Sequence, residues 1–563
     1  MLRNSNHVKR SRVNKKVSTI VMAILILALV GCSSNSNNNT STNNAASSNT
    51  TTNDSTTATT NDSTTTNDTA ATTDNSTTTT TEPPMEINWH GNFQLDSLLP
   101  DSYVQKIIEE KFNVKINFVS AKMDKLNLLA ASGDLPDVMR IADPKDVAAL
   151  GSSGVLLELP KELLSTEMPD VTSSIDKVDP GLWGLTNVNG TNYAIPQYLA
   201  VVPWDSGMAW RKDVLADAGI TTVPQSVADY DSAFKTIKSK EKDILKATKA
   251  TSKKLYMFSG ADIQYPWNAY TWLFGAYGSM PGTWQLDANG NIARAETLPG
   301  TRDALVKLNE WYKAGYIDPA FVTDKGDQMD AKYAQGAYAM TTKGIDGITS
   351  PNPDSLQKVN ADVQYDFTKA PTGTNGEQGV WSWGKRQNFI AFSAKLKDQP
   401  EKVNKILEIM NAVATDDSLF LTTHYGEEGK SYKLDNGIPV VTPPYDNDKS
   451  PESNALGTGG PNGGLFGPFG SIDIVKKFTN PQMVDAWQTY YAGKPDVLFM
   501  LPLPSTASTD QRIQDKWNET FIKIVIGEAP ISAYDDFLKW FDANGGAQLT
   551  KEANDLYTTS FKK

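Results

Sequence analysis

A chain of 563 residues exceeds the size that a single hydrophobic core usually serves, so more than one domain is expected. Its formal net charge of −12 opposes binding to phosphate backbones, and its one cysteine leaves no internal disulfide or cysteine-ligated metal. Three histidines without an HExxH pattern give no zinc-enzyme signature, whereas 13 Trp and 20 Tyr are enough to fill cores and still grip a planar ligand face.

The first element is a secretory signal. Arg3, Lys9, Arg10, Arg12, Lys15 and Lys16 precede an apolar run from Val17 to Val30, which Gly31 and Cys32 close. At about 14 residues the run falls short of the roughly 18 that argue for a membrane span. Leu29-Val-Gly-Cys32 resembles the lipobox of bacterial lipoproteins. That resemblance implies removal of residues 1–31, acylation of Cys32 and a lipid-anchored chain on the extracytoplasmic face of the cell membrane. The removed segment carries six Lys and Arg and no acid, so its loss takes the net charge from −12 to −18.

Residues 32–84 are almost entirely Ser, Thr, Asn, Ala and Asp, and read as a disordered tether. A coil of about 50 residues spans roughly 35–42 Å on average. The folded body then begins near Met85. Glu86–Trp89 reads as a strand, Pro100–Phe112 has helical apolar spacing, and Val114–Val119 alternates like a second strand. Met123–Ser132 is a helix and Asp137–Ile141 a strand, and the rhythm predicts α/β layers around a mostly parallel sheet. Amphipathic helices follow at Val227–Lys240, Leu298–Ala314 and Lys402–Ala414, with Gly315 as a stop and Asp287–Gly290 as a hairpin turn.

Lys125-Leu-Asn-Leu-Leu-Ala-Ala-Ser-Gly-Asp-Leu-Pro-Asp-Val138 resembles the extracellular solute-binding proteins of sugar ABC importers, in particular their large lipoprotein branch. Gly133 is suited to end the helix, Pro136 to prevent its continuation, and Asp137 to lead into a strand. Similar segments follow in the family's order: Gly154-Val-Leu-Leu-Glu-Leu159, Gly190-Thr-Asn-Tyr-Ala-Ile-Pro196, Trp210-Arg-Lys-Asp213, Trp311–Pro319, Gln335-Gly-Ala-Tyr-Ala-Met340, Ala370–Gly376, Gln399–Lys402 and Tyr425–Tyr432. No one of them is specific; their order and spacing over residues 86–558 carry the resemblance. It implies a two-lobed, periplasmic-binding-protein-like α/β fold, with ligand held in a hinged interlobe cleft. One lobe is expected at 85–207 and 386–450. The other takes 208–385 and most of 451–563. It further implies a monomer that hands a carbohydrate to ABC permease subunits, with no cofactor, no catalysis and no nucleic-acid partner. A sugar-sensing lipoprotein that feeds a membrane kinase, or a surface glycosidase, is the alternative.

A sugar site needs aromatic platforms beside polar groups that both donate and accept. Four loops carry such residues: Trp89, His90 and Asn92; Asp143 with Lys145; Gln264, Tyr265, Trp267 and Asn268; and Trp381 and Trp383 with Arg386 and Asn388. Asp143 falls where the family supplies a carboxylate for sugar hydroxyls, and it is equally well placed to cap the helix after Pro144. Trp267 is favoured as a stacking platform, and Trp272 as core. Alternation puts Trp381 and Trp383 on one face, either as a stacking pair or as a buried strand face. Trp204 and Asp205 precede the first crossing between lobes, and Lys343 and Asp346 are weaker candidates. Arg386 and Lys145 raise the prospect of an acidic sugar. The Gly-rich stretch 457–470 lacks a Gly-Lys-Ser/Thr ending and reads as a mobile loop. Asp287–Asn291 lacks the spacing of a calcium loop.

Overall fold

The computed structural model describes residues 83–91, 100–120, 123–199, 201, 206–263, 270–349, 353–446, 450–458, 466, 470–499 and 501–561. The signal segment, Cys32 and nearly all of the tether lie outside them. Among the described residues no helix is long and apolar enough to cross a membrane.

The body is built from strands that leave one sheet, enter another and return. In chain order the main strands are β1 (Met85–Gly91), β2 (Val114–Ser120), β3 (Val138–Ile141), β4 (Ala194–Tyr198), β5 (Ser206–Arg211), β6 (Met340–Gly344), β7 (Tyr365–Thr368), β8 (Val380–Ser382), β9 (Arg386–Phe392) and β10 (Gly493–Pro495). The first sheet has the order β2-β1-β3-β9-β4. β1 runs parallel to β2 and β3, and β9 runs antiparallel to both β3 and β4. The second sheet is β6-β5-β7, with both neighbours antiparallel to β5. The two sheets belong to separate cores. Ile87, Val138, Ile195 and Phe389 lie in the first, together with Ile406 and Met410 of the helix Pro400–Thr415. Trp210, Phe234, Trp272, Trp311 and Phe521 lie in the second. Phe466 belongs to the first core, and Ile472 packs against it.

Local chemistry explains the elements. In Val227–Ser239, Ser226 and Asp229 form a reciprocal capping box, and Val227, Tyr230, Phe234 and Ile237 recur at helical spacing on the buried face. Pro299 and Pro400 open their helices at the position where a missing N–H costs nothing. Gly133 and Gly315 adopt positive φ at helix ends, and Asp287 stands in the turn between the paired strands Trp284–Leu286 and Ile292–Arg294.

The segments quoted above lock onto one another. Asp137, 1% exposed, accepts from Asn88 N at 2.8 Å and pairs with Lys395 (3.3 Å) and Lys402 (3.6 Å), tying β1 and β3 to the start of Pro400–Thr415. Arg211 donates to the carbonyls of Gly336 (3.1 Å) and Tyr338 (3.3 Å) and pairs with Asp213 at 2.6 Å. The Tyr338 hydroxyl in turn donates to Asp318 at 2.9 Å. These buried charges stay in place because each is paired and hydrogen-bonded.

Close backbone contact positions the return crossing. A Cβ on Gly275, in the helix Thr271–Ala276, would stand 2.0 Å from the carbonyl oxygen of Gly379, just before β8. The variant Gly275→Ala is expected to lose about 1–3 kcal/mol of stability through overpacking. Equilibrium urea unfolding measures that loss; an unchanged midpoint would contradict the contact.

Candidate functional site

The return crossing joins both lobes through side chains on β8, β9 and the turn between them. Trp381 N donates to Thr271 Oγ1 of the second lobe at 3.3 Å, while Leu199 N, at the end of β4, donates to the Lys385 carbonyl at 2.8 Å. The turn needs Gly384, with φ of +64°, and Ser382 Oγ accepts its N–H at 3.0 Å. Trp381 and Trp383 meet edge to face, with centroids 4.5 Å apart and planes at 84°. Trp381 is buried, whereas Trp383 keeps 36% of its surface exposed. The Arg386 guanidinium sits 5.4 Å from the Trp383 ring centre. Burial pulls the Arg386 pKa below its ordinary value, against the opposing charges of Asp143 and Asp496.

Asp143 comes from the first lobe. It performs the capping role: its Oδ1 accepts from Lys145 N at 3.0 Å at the start of Pro144–Ser152. The carboxylate also lies 3.1 Å from Lys145 Nζ, and its charge raises the lysine pKa. Asp496 follows β10, which pairs with β8, and accepts from Trp284 N (2.8 Å) and Leu498 N (2.7 Å) of the second lobe. Arg386 therefore feels one carboxylate from each side of the crossing. Next to it on β9, the Asn388 carboxamide oxygen, in the orientation its partners dictate, accepts from Arg140 Nε (3.0 Å) and Nη2 (2.8 Å). Burial lowers the Arg140 pKa to about 10.

Trp381 also lines a cavity of about 230 Å³ in the second lobe. Phe258, Tyr270, Trp272, Met340, Thr341 and Thr342 line it too, with Ser206 of the first crossing and Asp262. Tyr270 holds φ of +56° and packs edge-on to Phe258. Its hydroxyl is buried without a hydrogen-bond partner among the described residues. Asp262 binds Lys325 Nζ at 2.8 Å and accepts from Gly326 N at 3.1 Å. The arrangement offers aromatic surface, hydroxyls and a carboxylate, which suits a polyhydroxylated ligand.

The structure thus brings together Trp381, Trp383 and Arg386, and the charge of Asp143 acts on Arg386. Trp89 and His90 sit elsewhere in the first core. Trp89 is 2% exposed with its ring 5.2 Å from Phe466, and His90 Nδ1 accepts from Arg140 N at 3.4 Å. Trp272 is core, stacked on Trp311 and edge-on to Phe258, yet it also forms part of the cavity wall. Lys343 contacts Asp354 and lies over the Tyr365 ring, and Asp346 falls on the helix Ile345–Thr349. Asn92, Trp204, Asp205, Gln264, Tyr265, Trp267 and Asn268 lie outside the described residues. Sequence reasoning missed Tyr270, Thr341 and Thr342. The available signal was that β6 follows the Gly-x-x-Ala-Met segment and pairs directly with the strand leaving the first crossing.

Comparison with known proteins gives a consistent picture. The family model described as bacterial extracellular solute-binding protein matches residues 96–418. Lipoprotein LipO of Bacillus subtilis is 23% identical over 463 residues, covering 79% of this chain and 86% of its own. The polygalacturonan/rhamnogalacturonan-binding protein YtcQ of the same organism is 20% identical over 481 residues, covering 82% and 89%. A carbohydrate ABC transporter substrate-binding protein of Streptococcus pneumoniae is 24% identical, covering 61% and 64%. Among solved structures, a solute-binding protein of Bifidobacterium longum infantis described as HMO-binding superposes with a TM-score of 0.63 at 16% identity, over 84% of this chain and 99% of that one. S. pneumoniae FusA in complex with kestose gives 0.61 at 15% identity over the same shares. These likenesses establish a two-lobed solute-binding-protein α/β fold.

The two tryptophans are expected to separate on mutation. Trp381→Ala removes a buried ring and costs about 3–5 kcal/mol, whereas Trp383→Ala costs about 1 kcal/mol or less. Chemical denaturation of both variants checks this; equal losses would contradict the different burial.

Proposed function

Because the chain belongs to the bacterial extracellular solute-binding protein family, we propose that it captures a carbohydrate, specifically an oligosaccharide, and delivers it to the permease of an ABC importer from a lipid anchor at Cys32. It binds a solute and catalyses no reaction. The observation that carries the carbohydrate reading is the run of contacts in which Trp381, lining the aromatic cavity of the second lobe, meets Trp383 edge to face, and Trp383 in turn lies under the Arg386 guanidinium. Flat rings suit the apolar faces of sugar rings, and the Asp143 carboxylate and the Arg386 guanidinium suit their hydroxyl edges. Relatives whose names specify carbohydrates support the same reading.

In this reading the lobes are 85–207 with 386–450, and 208–385 with most of 451–563, so the hinge includes the crossings near residues 207 and 385. The proposed contacts are Asp143, Trp381, Trp383 and Arg386. Trp89, His90, Asn92, Trp204, Asp205, Gln264, Tyr265 and Trp267 complete the set raised by the sequence, with Trp89 and His90 acting from behind the surface. Ligand touching both lobes favours the closed form, and the permease recognises that form.

A thermal-shift screen against mono- and oligosaccharides tests the ligand class, because a solute that binds only the folded state raises its melting temperature by mass action. A saccharide hit is expected; silence across the panel from a folded protein would remove the carbohydrate reading. With the hit in hand, Trp383→Ala and Trp267→Ala are each expected to lower affinity about tenfold or more without unfolding the protein, which corresponds to about 1.4 kcal/mol. An unchanged dissociation constant would take that residue out of the site. For the anchor, Cys32→Ala is expected to move the protein from the membrane fraction to the medium, since stable anchoring depends on the acyl chains. Continued membrane retention would argue against acylation at Cys32.

A further inference from the structure

We propose that a lysine-rich face of the second lobe, residues 238–254, docks the body on an anionic lipid bilayer. The inference deepens the membrane-anchored reading and rests on it for the choice of partner, whereas the face itself consists of described residues alone.

The stretch holds seven Lys against Glu241 and Asp243, a net +5 in a mature chain of −18. Lys240, Lys242, Lys246, Lys249, Lys253 and Lys254 are all exposed. Lys242 and Lys246 lie one turn apart on the helix Glu241–Ala247, which is held down on its other side by Ile244, 1% exposed. Glu241 is spent within the fold. It accepts from Leu255 N at 2.8 Å and pairs with Lys238 at 3.0 Å, which brings Lys253 and Lys254 back beside the start of that helix. The Gln335 carbonyl accepts from Thr251 N and Ser252 N, each at 3.0 Å, and fixes the loop between. Asp243 is left as the exposed carboxylate of the stretch.

Elsewhere on the surface, helical lysines are neutralised by a carboxylate one turn away, as in Lys405–Glu408, Lys516–Glu519 and Lys551–Asp555. Lys242, Lys246, Lys249 and Lys253 pair with no carboxylate among the described residues; the ion pair of this stretch is Lys238–Glu241. A row of uncompensated ammonium groups on a fixed surface suits a partner that brings the counter-charge. None of these lysines lines the aromatic cavity, so an extended anionic surface fits them better than a small solute. The tether supplies that surface: residues 32–84, as read from sequence, keep the body on average within roughly 35–42 Å of its acylated end. Acyl anchors and polybasic patches act together in membrane attachment. The acidic remainder of the chain does not cancel the attraction. At about 0.1 M salt the screening length is about 10 Å, so acids on distant sides are screened while the lysines reach the headgroups. Each lysine close to an anionic surface contributes about fivefold in affinity.

The test is vesicle sedimentation of the mature chain, residues 32–563, carrying Cys32→Ala so that no acyl chain contributes. Vesicles of phosphatidylcholine alone are compared with vesicles of one part phosphatidylglycerol to two parts phosphatidylcholine. Partition into the anionic vesicles is expected to be about tenfold stronger or more, and to be lost between about 50 mM and about 500 mM salt. The triple variant Lys242→Glu, Lys246→Glu and Lys253→Glu is expected to fall to the level of neutral vesicles with an unchanged melting temperature. A control with the same charge change at other exposed lysines, Lys358→Glu, Lys397→Glu and Lys433→Glu, is expected to keep most of the binding. Equal partition into both vesicle types overturns the proposal, as does equal loss in the two triple variants, which would make net charge the cause. Tighter binding to soluble polyphosphate than to anionic vesicles of matched charge would assign the face to a soluble polyanion and overturn the bilayer. Because the acyl chain is absent throughout, each of these failures strikes the lysine face and leaves the Cys32 anchor and the carbohydrate reading standing.

Discussion

Strand β9 starts beside the second lobe at Arg386 and ends at Phe392, between β3 and β4 of the first. It is the antiparallel member of an otherwise parallel set, and it arrives only after the chain has built β5 to β8. The first core therefore cannot close its sheet without a strand delivered from the other lobe. That strand brings four side chains of mixed chemistry to the boundary: Trp381 and Trp383 ahead of it, Arg386 at its start, and Asn388 two residues on. The position of the candidate site follows from this topology, because the end of β9 nearest the crossing is where material from both lobes must meet.

The same crossing sets the electrostatics. Asp143 is fixed by its role as a helix cap, and Asp496 by backbone donors from Trp284 and Leu498, so neither carboxylate is positioned by Arg386 itself. Each has a structural reason to be where it is that does not depend on the guanidinium. Such an arrangement is pre-organised: the donors and acceptors that a hydroxylated ligand needs are oriented before it arrives. In the proposed reading, hinge motion changes the distance between the groups from the two lobes while leaving each group's own support intact.

Much of the architecture was readable from local grammar. Met123–Ser132 has the bounds its apolar spacing and Gly133 suggest, and the turn at Asp287–Gly290 joins paired strands. The segments that suggested the family prove to be mutual anchors. Asp137 binds the start of Pro400–Thr415, and Arg211 binds the carbonyls of Gly336 and Tyr338. Site chemistry was less legible. A two-residue period says that Trp89 and His90 face opposite sides of β1, but not that both sides are covered, as they are in a sheet buried on both faces. Asp143 was open in the sequence between a ligand carboxylate and a helix cap, and the structure shows the cap. The cavity escaped notice because Phe258, Tyr270, Thr341 and Trp381 come from distant segments that only the fold assembles.

The central claim is that ligand binding draws the two lobes together about the crossing that carries β8 and β9. The most direct measurement is the pulsed dipolar distance between spin labels at two exposed positions, one introduced by Asp134→Cys in the first lobe and one by Asp330→Cys beside the cavity of the second. On saturation with a bound carbohydrate the distance distribution is expected to shorten and narrow. A distribution unchanged under saturating ligand, with binding confirmed in the same sample, would contradict an interlobe site that closes on its ligand.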